Sequence, residues 1–503
     1  MTMHDHGNFA IGAPGAPAQA NTATCEWPRQ FAPWAEESPD ARSLCRSQRK
    51  FQWRLRPPSL DDLRVVLVEA AKHGTPLYPI SRGCNWGYGS HLPARDGGVV
   101  VDLSRFNQIG DLDRSSLSVR IEPGVTQSEL AAFLAAKAPD LVCNVTGAGC
   151  GTSVLGNAID RGIGYLGEKN KDVFALEVLL ADGSLLAPTA ERNHPSRSQP
   201  SGLDTDALFF QTNFGVVVAG RIRFRRRQEA EDAILLEGPF EAVVATLKAG
   251  YDHQLFTHPT HLASPGRSHR LGFGLLRNLW GRDPTALEVE RCFPEKNSFT
   301  ALVPMHGRRR VVRAAWAELR RLAARGVRLH RVNARRISLA TALCRYLGMK
   351  YLAARIAAIR PIAAMTWGEP SDAGLTSLDG MTDDDPDHAD DGAIYGNAVS
   401  SCDAASAEAV AAIVRRGWSD AAFTWQVLSQ SCIITIYTLH FRGDEATAAH
   451  AANQEIVTAL RSAGFPPYRL DINTTAPRGA EAITARLKEA LDRKRTLAPG
   501  RYE

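Results

Sequence analysis

The chain has 503 residues, 44% of them hydrophobic and 22% charged, with a formal net charge of +5. That length exceeds one usual core, so two or more domains of ordinary globular composition are expected. The small charge gives no ground for a nucleic-acid partner, and no apolar run approaches the ~18 residues of a membrane span. Nine cysteines without a C-x-x-C pair read as reduced thiols of a cytoplasmic protein. The first 21 residues are rich in Ala, Gly, Pro and His. They lack the basic-then-apolar order of a secretory signal and are expected to be disordered. Arg225-Arg226-Arg227 and Arg308-Arg309-Arg310 read as a strand end and a helix start, with no interleaved aromatics to stack on bases.

In chain order, Ser59 with Asp61 and Asp62 marks a helix start. Leu63, Val66, Leu67 and Ala70 carry that helix to Gly74. Leu77 to Ile80 is a short buried strand, Val99 to Leu103 a second, and Leu117 to Ile121 a third that Pro123-Gly124 stops. Gln127 to Ala136 reads as a helix. Phe174 to Leu180 and Ser184 to Leu186 flank Ala181-Asp182-Gly183 as a hairpin, and Val216 to Phe224 closes the unit. The middle changes to Ala/Arg/Leu stretches of helical spacing, Arg310 to Arg325 and Ile337 to Ile359. Met381 to Asp391 is an Asp-rich segment expected to be a solvated insertion, its spacing unlike an EF-hand loop. Strands are expected at Ala393 to Val399 and Cys432 to Phe441, and helices at Ala404 to Arg416 and Glu445 to Ala463.

Three segments carry chemistry. Ser81-Arg82-Gly83-Cys84-Asn85-Trp86-Gly87-Tyr88-Gly89 follows the strand ending at Ile80. Its glycines let the backbone take positive φ, and successive N–H groups in such a loop can hold an anion. The second segment runs from Gly147 through Gly149, Cys150, Thr152, Ser153, Gly156, Asn157 and Arg161 to Gly164. The third is Asn213-Phe214-Gly215-Val216-Val217-Val218. A dinucleotide fingerprint would need glycine three places after Gly149, and Thr152 stands there.

Together these segments, with Tyr468-Arg469 and the closing Leu497 to Tyr502, resemble the vanillyl-alcohol oxidase/p-cresol methylhydroxylase family of flavoproteins. The resemblance covers Phe51 to Phe224 and the final stretch well, and the middle loosely. It implies an α+β fold: a two-subdomain PCMH-type FAD-binding domain at 49–228 and a mixed-sheet, helix-covered substrate domain at 229–460. A C-terminal segment, 461–503, would return to the flavin, and 1–48 would be an N-terminal, partly disordered extension.

The resemblance also implies FAD, held by Ser81, Arg82, Gly83, Cys84, Asn85, Trp86, Gly87, Pro123, Gly147, Gly149, Cys150, Thr152, Ser153, Gly156, Asn157, Arg161, Gly164, Asn213, Gly215, Val217, Val218 and Arg501. Relatives often tether the flavin. The first loop has no histidine, and the late strand near Gln430 to Tyr437 offers Cys432 instead of one, so noncovalent FAD is expected. A link through Cys150 is the alternative.

Tyr88, Tyr468 and Arg469 fall where phenol-oxidising relatives hold a phenolate. Donors around a phenol, one of them a permanent cation, lower its pKa and stabilise charge at its oxygen. The other reading packs Tyr88 under the flavin and pairs Arg469 with a carboxylate. Relatives also carry an acidic or hydroxyl side chain beside the reactive flavin nitrogen, where Gly147-Ala148-Gly149 has none. His258 and His261 lack a third ligand nearby, so no metal is expected. They read as structural or pocket histidines, with a general base also open.

The expected activity is an FAD-dependent oxidation of a small-to-medium aromatic alcohol, phenol or amine, with oxygen or another acceptor. Two alternatives stay open: a dehydrogenase of a hydroxy acid or sugar, and a flavin-binding protein without turnover. No nucleic-acid or membrane partner is expected, and related architectures often pair as homodimers.

Overall fold

The computed structural model describes residues 26–37, 39–188, 204–293, 298–377, 385–474 and 481–502. The first 21 residues and Met381 to Asp384 lie outside these.

The N-terminal part holds two four-stranded sheets. Trp53–Leu55, Val99–Asp102 and Leu77–Ile80 run parallel, with Ala35–Glu37 antiparallel at the edge. Parallel neighbours need a crossover, and Leu60–His73 supplies one. Ser59 caps it by accepting from the Asp62 N–H, and Gly74 ends it at φ 62°. Leu63, Val66, Leu67 and Ala70 pack its inner face on this sheet. The second sheet is antiparallel, in the order Leu185–Leu186, Val173–Leu179, Val216–Arg223, Ser118–Ile121. Gln127–Lys137 covers it from a Thr126/Glu129 capping box.

The chain then builds one seven-stranded antiparallel sheet in the order Arg328–Val332, Ala230–Gly238, Phe299–Gly307, Thr260–Ala263, Ala422–Ser429, Cys432–Phe441, Gly392–Ser400. Helices Phe240–Asp252, Arg309–Leu322, Ala404–Gly417 and Ala446–Ser462 cover one face over the largest core. Leu236, Leu262, Val303, Trp425, Tyr437 and Leu439 fill it. Alternate residues of the same strands point the other way, towards the N-terminal part.

Two expectations need correction. Ile337 to Ile359 is two helices, Ala334–Tyr346 and Lys350–Met365, because Gly348 takes φ 70° between them. The described end of the Asp-rich segment is not a solvated insertion. Asp387 is buried, and its carboxylate accepts from the Leu44 N–H (2.7 Å) and the Ser90 hydroxyl (2.6 Å).

After Ser462 the chain returns to the first sheet. Leu77 N–H donates to the Thr496 carbonyl and Ala498 N–H to the Leu77 carbonyl, each at 2.7 Å. The buried Lys488 ammonium donates to the Asn213 carbonyl at 2.6 Å and the Leu497 carbonyl at 2.7 Å, and pairs with Asp492 at 2.9 Å.

Candidate active site

Two cavities meet inside the molecule. The first, about 230 Å³, lies between the two N-terminal sheets. Its walls are the Ser81–Asn85 loop, the turn through Thr152, Ser153, Gly156 and Asn157, the Asn213–Val217 strand entry, and the returning Ala498, Arg501 and Tyr502. The second, about 330 Å³, lies under the free face of the seven-stranded sheet. Cys84, Asn85, Asn157 and Arg469 line both, so the space is continuous in its lining.

The first cavity is shaped for close backbone approach. Gly83 sits at φ 71°, which side chains resist, and a Cβ on Gly156 would lie 2.2 Å from the Ser81 hydroxyl. Ser153 fixes the turn by accepting from Gly156 N–H (2.8 Å) and donating to the Pro123 carbonyl (2.5 Å). Buried polar atoms here lack partners: Asn157 Oδ1, Arg469 Nε and Arg501 Nη1. Buried donors and acceptors are normally satisfied. A polar ligand with a diphosphate and an amide-bearing ring, as FAD has, fits a cradle with these groups open.

Where the cavities meet stands a buried ionic cluster. The Asp160 carboxylate pairs with Arg469, accepts from the Tyr502 hydroxyl at 2.7 Å, and lies 3.6 Å from Arg501. Burial alone would lower the Arg469 pKa; the charge of Asp160 outweighs it and leaves the guanidinium raised and permanently charged. Its terminal nitrogen also donates to Asn85 Oδ1 at 3.0 Å, and its guanidinium carbon lies 4.8 Å from the Tyr88 ring centre.

Asn397, on strand Gly392–Ser400, ties the expected catalytic residues together. Its Oδ1 accepts from the Tyr468 N–H (2.7 Å) and the Arg469 N–H (2.9 Å), while its Nδ2 donates to the Tyr88 oxygen (3.3 Å). The Tyr468 hydroxyl donates to Glu168 at 3.3 Å, and Arg161 lies over its ring at 4.5 Å. Burial raises both phenols, Tyr468 to about 12, so each is a donor at neutral pH.

Of the residues expected from sequence, Trp86, Tyr88, Gly147, Tyr468 and Arg469 line the second cavity. Ser81, Arg82, Gly83, Cys84, Asn85, Pro123, Thr152, Ser153, Gly156, Asn157, Asn213, Gly215, Val217 and Arg501 line the first. Gly87, Gly149, Cys150, Arg161, Gly164 and Val218 line neither. Gly87 and Gly149 instead make room for the Tyr395 ring and Leu375, and Val218 points into the core beside Val216. The Cys150 backbone is held by Asp372 and Ser128. Burial pushes the thiol of Cys84, which faces both cavities, up to about 12.

His261 lies on the sheet face of the second cavity, its ring 4.1 Å from that of Tyr165 and its Nε2 2.9 Å from Gln426. Burial lowers it to about 4, leaving a neutral imidazole whose Nδ1 has no partner. His258 packs against His306 outside both cavities. No cluster able to hold a metal exists among the described residues. Asp160, Asn397, Tyr395 and Tyr502 escaped the sequence reading. The first lies within the second glycine segment and the last ends the closing one, so both were within reach. Only an Asn in the middle of a strand hinted at Asn397.

Comparison with known proteins bears on the domain and the fold. A family model described as an FAD binding domain matches residues 52–187. The 1'-carboxy-chondrochloren decarboxylase of Chondromyces crocatus is 28% identical, over 89% of each chain. The 4-cresol dehydrogenase [hydroxylating] flavoprotein subunit of Pseudomonas putida is 28% identical over 31% of this chain and 32% of its own. Among solved structures, p-cresol methylhydroxylase with substrate bound superposes with a TM-score of 0.75 at 18% identity, covering 94% of this chain and 92% of that one. The 4-ethylphenol oxidase from Gulosibacter chungangensis, in its isoeugenol complex, gives 0.75 at 18%, covering 95% of each.

Fold and site thus define an FAD-dependent oxidoreductase. The chain carries an FAD binding domain, and its overall fold is the one seen in p-cresol methylhydroxylase and 4-ethylphenol oxidase. No helix among the described residues is long and apolar enough to cross a membrane.

Proposed function

We propose that the protein oxidises a phenol-bearing small molecule whose ring oxygen sits among Tyr88, Tyr468 and Arg469. The observation that carries this reading is their convergence on Asn397 where the two cavities meet. The first cavity would hold FAD through the Ser81–Asn85 loop, Gly156, Asn157, Asn213 and Arg501. We place this FAD-binding unit at 49–228, the substrate unit at 229–460 and the return segment at 461–503.

Bound FAD would take up a hydride from the carbon para to the phenol oxygen. The chain's own work is electrostatic. Arg469, paired with Asp160, holds a fixed charge, and Tyr88 and Tyr468 are protonated; a substrate oxygen that takes over the Tyr468 hydroxyl from Glu168 would meet these three groups, which favour its phenolate form. Electron density from the phenolate then flows toward the carbon losing hydride, and the substrate becomes a quinone methide.

A specific observation favours a decarboxylating version. Gly147, Ala148 and Gly149 offer no side chain to remove a proton or activate water, and the relative aligned over 89% of both chains is named a decarboxylase. A substrate with a carboxylate on the carbon adjacent to the oxidised one needs neither step. The C–COO⁻ bond breaks, CO₂ leaves, and its electron pair forms the new C=C while the phenolate is restored. Arg267 and Arg355, the latter paired with Glu237, line the second cavity, and Arg267 is the candidate to hold that carboxylate.

The test is anaerobic mixing with 4-alkylphenols, 4-hydroxybenzyl alcohols, 4-hydroxyphenylpropanoic acids and aliphatic hydroxy acids. Bleaching of the flavin by phenols, with CO₂ and an alkenylphenol formed from the acids, supports both steps. Bleaching by phenols without CO₂ keeps the phenol site and removes the decarboxylation. Bleaching by hydroxy acids alone overturns the phenol reading in favour of a hydroxy-acid dehydrogenase. Mixing the reduced protein with air then decides between oxidase and dehydrogenase.

A further inference from the structure

From Leu319 to Gly368 the sequence has ten Arg, one Lys and no Asp or Glu. The centre of this run is the hairpin of helices Ala334–Tyr346 and Lys350–Met365. Its outer side is apolar. Tyr346 is 88% exposed, Leu339 60%, Leu347 58% and Leu343 57%, with Met349 and Leu352 also exposed. Leu339, Leu343 and Leu347 follow one another at four-residue spacing and form a single stripe. Large apolar side chains scattered singly on a surface are ordinary, whereas a continuous patch with a polar rim marks a binding face.

The rim is basic. Arg335, Arg336, Arg345 and Lys350 are exposed, with no carboxylate partner among the described residues. Arg335, Arg336 and Leu339 also border an open groove of mixed charge, where Arg309 pairs with Glu229 and where Glu231, Asp232 and Glu369 lie too, so the basic rim is the hairpin's own Arg335, Arg336, Arg345 and Lys350. Other arginines of the run are held by acids elsewhere, Arg331 by Asp232 and Arg328 by Glu237 at 3.2 Å.

We infer that this hairpin docks the protein on the surface of an anionic lipid bilayer. The apolar stripe enters the headgroup region, and the basic rim meets the lipid phosphates. The turn at Leu347-Gly348-Met349 continues the stripe, with Leu347 and Met349 both exposed. A second copy is disfavoured because two surfaces of the same positive charge would face each other. The inner side of the second helix carries Arg355, Ile359 and Ile362 into the lining of the second cavity. Docking would therefore hold an amphiphilic substrate's source beside that cavity. Surface docking needs no membrane-spanning segment, the feature whose absence led to the expectation of no membrane partner.

Flotation of the full-length, FAD-loaded protein with phosphatidylcholine vesicles and with phosphatidylcholine–phosphatidylglycerol vesicles tests this. Binding to the second only, weakened by salt, is expected. Each basic side chain near an anionic surface contributes about fivefold to partitioning, so Arg335→Gln with Arg336→Gln should lower it roughly thirtyfold. Leu343→Glu with Tyr346→Glu should abolish it while leaving flavin absorbance and melting temperature unchanged. Absence of binding to the anionic vesicles at low salt overturns the inference. Binding that ignores both double variants does so too. A change from dimer to monomer on Leu343→Glu with Tyr346→Glu assigns the face to self-association instead, and capture of an acidic protein without vesicle binding assigns it to a protein partner.

Discussion

Replacing Asp160 by Asn removes the only carboxylate in contact with Arg469 and Arg501 among the described residues. The pair is shielded, with side-chain exposures of 17% for Arg469 and 13% for Asp160, so solvent screens it little. Breaking a buried pair by removing one partner costs about 3–5 kcal/mol, because the other charge stays buried and uncompensated. Asn keeps an acceptor for the Tyr502 hydroxyl, which puts the expected loss near the low end, about 3 kcal/mol, or a hundredfold in the folded-to-unfolded ratio. Arg469→Gln alone should cost less, since Asp160 keeps the Tyr502 hydroxyl at 2.7 Å and Arg501 at 3.6 Å. The double variant leaves two neutral amides facing each other and should cost less than the sum by about 2 kcal/mol. Urea unfolding of the FAD-free protein, followed by tryptophan fluorescence, measures all four corners of this cycle. Additivity within about 0.5 kcal/mol would refute the pairing as an energetic unit.

The remaining predictions use independent observations. Arg469→Ala should lower kcat/KM on a phenolic substrate by roughly 10²–10³, the usual loss for one preorganised charge-stabilising donor; unchanged turnover would remove Arg469 from the site. Burial lowers His258 and His261 to about 4 and His306 and His440 to about 3. The unfolded chain binds more protons than the folded one between about pH 6.5 and these values, so stability should be full above pH 6.5 and fall as pH drops toward 4. Thermal melts across that window check the sign, and His261→Gln should flatten the slope; a rising melting temperature on acidification would contradict it. Gly156→Ala places a methyl group 2.2 Å from the Ser81 hydroxyl and should reduce FAD content in a folded protein. Full FAD loading of that variant would show that the turn yields. Acid precipitation should leave the yellow colour in the supernatant, because Cys150 lines neither cavity. Colour in the pellet that Cys150→Ser abolishes would place a covalent link there.

The local features were legible because their causes are local. Ser59 and Thr126 announce helix starts, Gly74 ends one, and a glycine cluster after a strand announces a close backbone turn. The same glycine rule, applied to Gly348, would have split the stretch from Ile337 to Ile359 in advance. Sheet order was not legible. Thr260–Ala263 is four residues long, yet it pairs with Phe299–Gly307 on one side and with Ala422–Ser429, about 160 positions away, on the other. Nothing within four residues specifies neighbours so distant, since strand preference follows from the surface a strand packs on.

The hidden half of the site has a different cause. Along the seven-stranded sheet the residues facing the cavity alternate with those facing the core: Thr424 and Gln426 between Phe423, Trp425 and Val427, and Tyr395 and Asn397 between Ile394 and Ala398. Read from sequence, polar–apolar alternation means one face in water and one in the core. Here both faces are covered, and the polar side meets a cavity instead of solvent. Asn397 then cannot be a surface residue, because each of its amide atoms is committed to Tyr88, Tyr468 or Arg469. A cover over the polar side of the strand is what separates a ligand-facing wall from a wet one. That cover comes from segments far away in the chain, which explains why Tyr88 and Arg469 were recognisable from their motifs while the residue that joins them was not.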